Sequence, residues 1–165
     1  MLEYEELAEL LDVEAVKELR NRSLSPNHPV IRGTTQNPDI YFQAREAANP
    51  FYLALPGIVS HYMDKINEIR GTDYKLFNYY GAPDADRVIV SMGSVDEVIE
   101  ETVDYLRAKG ERVGLLKVRL YRPFCFVKFL SELPSTVTSM AVLDRTKEPG
   151  SHGEPLFLDI CAAYA

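Results

Sequence analysis

Hydroxyl and basic side chains follow the predicted strands of this sequence at the points where those strands end. Ser94 comes just after an apolar run at residues 88–92, and Arg119 and Arg122 close the next one. The carboxyl ends of parallel strands share one edge of a sheet, so these side chains should gather there. Charged residues after the strand predicted at 136–143 would join them: Asp144, Arg145 and Lys147. Free helix N–H groups and guanidinium groups both bind anions, so the pattern predicts a crevice for an anionic ligand, held by Ser94, Arg119 and Arg122.

The same edge supports a second interpretation, in which it packs against another protein domain through ion pairs. Arg119 ends an otherwise apolar strand, and an arginine in that position can lie over apolar neighbours while its charged end meets a carboxylate. A single strand–glycine–helix turn is common, and the sequence has neither a GxGxxG nor a Walker pattern. Packing is the interpretation that we favour, and ligand binding stays open beside it.

Other residue types that could carry chemistry do not form a set. The three histidines are scattered along the chain and have no partner at metal-ligand spacing: His28, His61 and His152. Cys125 and Cys161 have neither CxxC nor zinc spacing, and we expect both inside helices as small apolar residues. No serine lies in a GxSxG pattern. The sequence therefore predicts no catalytic residue and no metal ligand.

The elements that must position the charged edge are predicted in residues 74–165. A strand at 88–92 meets Gly93, and Ser94 with Glu97 has the spacing of a capping box. A helix to residue 108 follows, with Gly110 after it. The other predicted elements are a lead-in strand at 75–79, a strand at 112–121, a helix at 123–133, a strand at 136–143 and a helix at 155–165. This order predicts an α/β fold, a βαβαβα unit in three layers with a mainly parallel sheet.

Residues 1–73 predict a helical segment with an extended connector. One or two helices are expected in residues 3–24, and two prolines and a glycine make residues 25–36 a connector. Asn37 should cap a helix to about residue 48, which the Asn49-Pro50 pair should break. A further helix at 58–70 should end at Gly71. The chain stops inside a helical pattern without a cap, so we expect it to be a piece of a longer protein.

Composition limits the classes of partner and compartment. The chain has 165 residues, of which 46% are hydrophobic, and this is enough for a packed core. A net charge of −7 argues against nucleic acid or an anionic membrane as the main partner. No apolar run approaches the roughly 18 residues of a membrane span, and the N-terminus is acidic, unlike a signal peptide. Two cysteines without a disulfide pattern fit the cytoplasm.

Three stretches carry a family resemblance that covers nearly the whole chain. They are IRGTTQNPDIYFQAREA at 31–47, YKLFNYYGAPD at 74–84, and LKVRLYRPF at 116–124 together with residues 142–150 and 153–156. Together they resemble the pyruvate:ferredoxin (flavodoxin) oxidoreductases, also called pyruvate synthases. The resemblance implies the end of the first domain, on the pyrimidine side of thiamine. It also implies most of the second, which is similar to the transketolase C-terminal domain and binds no thiamine itself.

The resemblance also implies what the parent protein does. Members of the family are cytoplasmic enzymes, commonly homodimers, that convert pyruvate to acetyl-CoA and CO2 and reduce ferredoxin or flavodoxin. They use thiamine diphosphate, Mg²⁺, [4Fe-4S] clusters and coenzyme A. The family's catalytic and cluster residues have no counterpart here, so this chain is expected to be a structural, interdomain part. Five residues are expected to contact the missing domains: Arg32, Asn37, Asp144, Arg145 and Lys147.

Two alternatives remain on the sequence alone. The first is an anion-binding module in which Ser94, Arg119 and Arg122 hold coenzyme A or another phosphate-bearing ligand. The second is a stand-alone regulatory or partner-binding protein that has borrowed the domain.

Overall fold

The computed structural model describes residues 2–31 and 33–165, in which four helices precede the first strand. The elements in chain order are α1 (Tyr4–Leu10), α2 (Val13–Asn21), α3 (Pro38–Glu46), α4 (Asn49–Arg70), β1 (Phe77–Gly81), β2 (Arg87–Ser91), α5 (Val95–Ala108), β3 (Val113–Val118), α6 (Phe126–Glu132), β4 (Ser139–Val142) and α7 (Pro155–Ala163). Two helices lie in the first 24 residues, within the one or two that the sequence predicts.

The four strands form one mixed sheet in the order β1-β3-β2-β4. β2 pairs in parallel with both β3 and β4, whereas β1 pairs antiparallel with β3. The predicted mainly parallel α/β fold is therefore confirmed. The lead-in strand predicted at 75–79 forms two residues later, as an antiparallel edge strand.

Side chains alternate along the central strands between two hydrophobic clusters. On one face, Ile99 and Val103 of α5 pack on Leu115 of β3. On the other face, Leu116 and Val90 belong to a larger cluster with residues of α6 and α7: Phe129, Leu156 and Ile160. The sheet thus lies between α5 and the α6–α7 layer, which gives the three predicted layers. Val98 of α5 is 65% exposed and belongs to neither cluster.

The segment after β3 departs from the prediction in a way that affects the charged edge. β3 ends at Val118 and not near residue 121, because the backbone N–H groups of Arg119 and Leu120 both donate to the carbonyl of Leu76, at 2.9 and 3.1 Å. α6 begins at Phe126 and not at residue 123, since residues 119–125 form an irregular segment whose Phe124 ring packs on the buried Phe77, 5.3 Å between centroids.

The two cysteines differ in how well they match the prediction that both lie inside helices. Cys125 is the half-buried residue that precedes α6, so the prediction that it lies inside a helix is wrong. Cys161 is exposed on α7, which is helical as predicted but offers this side chain no burial.

α4 is longer than the sequence predicts. It runs without a break from Asn49 to Arg70 and keeps Pro56 inside it. The Asn49-Pro50 pair starts this helix and does not break it, because a proline in the first turn loses no intrahelical hydrogen bond. An internal proline removes one such bond and bends a helix without having to end it. The predicted end is correct: Gly71 has φ +65°, the left-handed conformation of a helix cap.

Candidate functional site

The start of α5 does not have the predicted capping box. Ser94 is the residue before the helix, but its backbone is already helical (φ −67°, ψ −15°) and its side chain makes no cap hydrogen bond. The buried Ser91 hydroxyl donates instead to a carboxylate oxygen of Asp96, at 2.6 Å. The turn itself is closed by the Asp96 N–H, which donates to the Gly93 carbonyl at 3.1 Å. The serine that hydrogen-bonds to the first turn of α5 is therefore Ser91, at the end of β2. The capping-box spacing did not indicate this residue.

Arg119 lies just past the carboxyl end of β3 and is held from the side of β1. Its Nε donates to Oδ1 of Asn78 at 2.8 Å, and its guanidinium carbon is 4.8 Å from the centre of the Tyr74 ring. Asn78 is buried, with 8% of its surface exposed, whereas the Arg119 side chain is exposed. Sequence reasoning did not identify Asn78. The signal available was an asparagine in an otherwise aromatic strand, which is unfavourable there unless its amide is used.

Arg122 is neutralised within the chain. Its Nη1 forms an ion pair with Oδ2 of Asp159 on α7, and its guanidinium lies 4.2 Å from the centre of the Tyr121 ring. The Tyr121 oxygen is enclosed without a hydrogen-bond partner among the described residues. Burial raises the pKa of this phenol, and the charge of Arg122 works against that rise. The charge of Arg122 is consequently neutralised by Asp159 of α7, without an external anion.

The loop after β4 is fixed by two acidic side chains. Asp144 accepts hydrogen bonds from the N–H groups of Leu156 and Phe157 in the first turn of α7, each at 3.2 Å. Glu154, the residue before α7, accepts from Lys147 Nζ at 3.1 Å and from the backbone N–H of residue 148 at 2.8 Å. Glu154 was missed in the sequence, although an acidic residue directly before a helix-starting proline is a recognisable signal.

The remaining predicted contact residues have no such role in the described structure. Arg145 is exposed and makes no ion pair or hydrogen bond with another described residue. Asn37 is exposed and precedes α3 without a side-chain cap bond, although Pro38 starts the helix as predicted. Arg32 lies outside the described residues.

Within the described residues, no hydrogen bond or ion pair links the three residues of the predicted anion crevice to one another. Arg122 is paired with Asp159, and Arg119 is held by uncharged groups. The anion-binding alternative therefore gains no support, and ligand binding by these residues stays a prediction. No group of three or more His, Cys, Asp or Glu side chains in the described residues could hold a metal ion.

The helical segment carries a surface that the sequence analysis did not identify. Not one described residue before Leu76 is buried, although Val59 and Met63 of α4 are partly buried against the larger hydrophobic cluster. Large side chains of α3 and α4 are exposed instead, including Phe42 at 65%, Phe51 at 75% and Leu53 at 81%. We call the exposed hydrophobic residues of these two helices the apolar face: Ile40, Tyr41, Phe42, Phe51, Tyr52, Leu53 and Ile58. Such a patch on a protein marks an interaction surface.

α4 changes character along its length. Residues 49–63 contain no Asp, Glu, Lys or Arg, whereas residues 64–70 carry four charged side chains in DKINEIR. Within the described residues, no helix is both long and apolar enough to cross a membrane. A helix that is hydrophobic on all sides is typical of the interior of a large protein. The first half of α4 is therefore suited to being enclosed by further protein.

Comparison with known proteins identifies the family. The family model of the pyruvate:ferredoxin oxidoreductase core domain II matches residues 85–165. The pyruvate:ferredoxin oxidoreductase of Moorella thermoacetica is 62% identical over 165 residues, which is 100% of this chain and 14% of that protein. The pyruvate-flavodoxin oxidoreductase of Enterobacter agglomerans is 60% identical over 164 residues, again 14% of its length.

A solved structure gives a weaker likeness. It is a 2-oxoglutarate:ferredoxin oxidoreductase from Magnetococcus marinus with 2-oxoglutarate, coenzyme A and succinyl-CoA bound, 23% identical with a TM-score of 0.45, and the likeness covers 60% of this chain and 16% of that one. This likeness is too weak to add to the assignment, which stands on the sequence relatives. The chain spans about 14% of the length of those relatives, and it belongs to the pyruvate:ferredoxin (flavodoxin) oxidoreductase family.

Proposed function

We propose that this chain is a scaffold module of a pyruvate:ferredoxin or pyruvate-flavodoxin oxidoreductase and that it catalyses no step by itself. The parent would oxidise pyruvate to acetyl-CoA and CO2 in the cytoplasm and pass electrons to ferredoxin or flavodoxin. The module holds other parts of the parent in place through the apolar face of α3 and α4. We further propose that the helical segment, residues 1–73, and the α/β part, residues 74–165, are separate domains of that parent.

The single observation that carries the proposal is the absence of any buried residue among the described residues before Leu76. The exposed Phe42, Phe51 and Leu53 side chains contribute little to the stability of the segment within these residues, because burial of apolar surface is the main favourable term in folding. Burying one such side chain contributes about 1.5–3 kcal/mol. The remaining 86% or so of the relatives' length can supply the surface that covers it.

The donor groups of this chain do not fit the cofactors of the family. A [4Fe-4S] cluster takes four thiolates, and the whole sequence has only Cys125 and Cys161. Among the described residues no carboxylates and histidines converge as a Mg²⁺ site would require. We therefore propose that the clusters and Mg²⁺ are bound by other parts of the parent, together with thiamine diphosphate and coenzyme A.

The polar contacts of the module with its neighbours are proposed at two places. The first is the connector before α3, with Arg32 and Asn37. The second is the loop after β4, where Arg145 is exposed and unpaired among the described residues. Asp144 and Lys147 are already engaged within the loop, by α7 and Glu154. We therefore expect these two to shape the loop while Arg145 makes the outward contact.

Cysteine accessibility in the full-length enzyme tests the proposal. Leu53→Cys would be introduced with Cys125 and Cys161 replaced by serine, and maleimide labelling of the peptide that contains position 53 would be followed by mass spectrometry in the native and the urea-unfolded enzyme. We expect at least about tenfold protection in the native enzyme, because the side chain is enclosed by other domains. A matched control is Glu14→Cys on α2, where the native side chain is 79% exposed and should label freely. Equal labelling of both positions in the native enzyme would overturn the proposal.

A further inference from the structure

Arg119 is fixed in place by two uncharged neighbours. Asn78 accepts from its Nε at 2.8 Å, and the Tyr74 ring lies 4.8 Å from its guanidinium carbon. Asn78 is itself held rigidly, since it also accepts from the Lys75 N–H at 3.0 Å and donates to the Asp73 carbonyl at 2.6 Å. The guanidinium is therefore oriented before any charged group meets it, and little rotamer entropy is left to lose on binding.

No carboxylate of the described residues accepts from this arginine. Its neighbours in the sequence are paired: Lys117 with Glu100, and Arg122 with Asp159. The chain contains 25 acidic residues against 18 basic ones, so a shortage of carboxylates is not the cause. The two Nη groups, which have no hydrogen-bond partner among the described residues, are a planar pair of donors that matches a carboxylate in a bidentate arrangement.

The position of Arg119 favours a protein carboxylate over a free anion. Ser94 and Arg122, which could have shared an anion with it, do not contact it. Tyr74 is bonded to α4, because its N–H donates to Oδ1 of Asn67 at 2.7 Å and its carbonyl accepts from Nδ2 at 2.9 Å. Arg119 is thus tied through Tyr74 to the C-terminal half of α4, the helix whose first half belongs to the apolar face.

We infer that Arg119 is an interdomain anchor that binds the carboxylate of an Asp or Glu from a part of the parent polypeptide outside these 165 residues. Asn78 and Tyr74 are its positioning residues. The inference rests on the proposed function in requiring a neighbouring domain at this surface. It adds the residue that fixes that domain and the chemistry of the contact.

Zero-length cross-linking in the full-length enzyme tests the inference. Arg119→Lys keeps the positive charge and supplies a primary amine, which a carbodiimide joins only to a carboxylate in direct contact. We expect mass spectrometry to find the introduced lysine joined to an Asp or Glu outside the present sequence. The matched control is Arg107→Lys, whose partner Asp104 lies one turn away on α5, 3.7 Å in the native pair. It should be joined to Asp104.

The outcomes separate this inference from the proposed function. An introduced lysine that is joined only to carboxylates inside the present sequence, or to none, while the control is joined to Asp104, overturns the inference. Protection of Leu53→Cys would then still support docking, so only the anchor would fail. Loss of the cross-link at position 119 in millimolar inorganic phosphate, while the control cross-link to Asp104 persists, would assign this position to a free anion and also overturn the inference. Phenylglyoxal modification of the unsubstituted enzyme, which should spare Arg119 relative to Arg20, replaces the Arg119→Lys experiment if that variant does not fold.

Discussion

Gly81 and Gly114 face each other across the last pair of the β1–β3 ladder with no room for a side chain between them. A Cβ built on Gly81 would lie 2.5 Å from the Gly114 Cα and 2.6 Å from the Val113 carbonyl oxygen. Gly81 has φ +142°, which L side chains rarely adopt. A Cβ built on Gly114 would overlap the hydroxyl oxygen of Tyr79. Gly81 is therefore required where the antiparallel edge strand leaves the sheet, whereas a side chain at Gly114 would displace the end of the Tyr79 ring.

Gly81→Ala should destabilise the chain by about 2 kcal/mol or more, because the obstructing atoms are backbone and the backbone conformation is strained. Urea unfolding of the variant and of the unsubstituted chain measures this change in the free energy of unfolding. Gly57→Ala on α4 is the control, since a Cβ there meets nothing within 4 Å and alanine favours a helix by roughly 1 kcal/mol. A Gly81→Ala variant as stable as the Gly57→Ala variant would contradict the close approach.

Asp144→Ala should destabilise the chain by about 1 kcal/mol, since it removes the carboxylate that accepts from two N–H groups at the start of α7. Asp144→Asn keeps an acceptor and should lose less. Amide hydrogen exchange at Leu156 and Phe157 is the direct measurement, and both should exchange faster in the alanine variant. Unchanged exchange at these two amides would show that the carboxylate does not cap the helix.

Glu100→Gln should destabilise the chain by about 1–3 kcal/mol, because it leaves the Lys117 ammonium without its partner on the α5 side of the sheet. The lysine side chain is only 16% exposed, so water cannot fully replace the carboxylate. The double variant Glu100→Gln/Lys117→Met should recover part of that loss. A double-mutant cycle by urea unfolding gives the coupling energy, and a value near zero would show that the pair adds nothing.

Asp86 should make the stability of the chain depend on pH in the acid range. Hydrogen bonds from Arg87 and then Arg112 hold the pKa of this carboxyl below its ordinary value of 3.8. A carboxyl whose pKa is lower in the folded than in the unfolded state stabilises the fold at pH values above its unfolded pKa. That contribution is lost as the pH falls through the folded pKa, so the loss should occur below about pH 4.

The measurement for Asp86 is thermal unfolding between pH 2 and pH 6 for the unsubstituted chain and for Asp86→Asn. The unsubstituted chain should lose more stability than the variant at the acid end of this range. Above it, the difference in stability between the two should stay constant. Asp73→Asn serves as the control, because this exposed carboxyl has only a long contact with Lys75, 3.6 Å. An equal loss of stability with falling pH in the unsubstituted chain and in Asp86→Asn would contradict the lowered pKa.

The candidate site shows where sequence reasoning succeeds and where it ends. Arg119 was expected at the carboxyl end of a parallel strand, and it lies there, because apolar alternation and a glycine-bounded helix mark β2, α5 and β3. Its partners could not be predicted. Asn78 is 41 residues away, and only the antiparallel pairing of β1 with β3, which places Phe77 opposite Val118, brings the two together.

The sequence by itself determined the element types, the mainly parallel α/β sheet and the family, since these depend on local patterns and long shared motifs. The tertiary structure decided which charges are used. Asp159 on α7 neutralises Arg122, Asn78 orients Arg119, and Asp144 caps a helix twelve residues later. It also showed that the apolar residues of α3 and α4 are not buried within the described residues. Periodicity shows that a side chain is apolar, but what covers it depends on contacts between distant segments, which no local pattern contains.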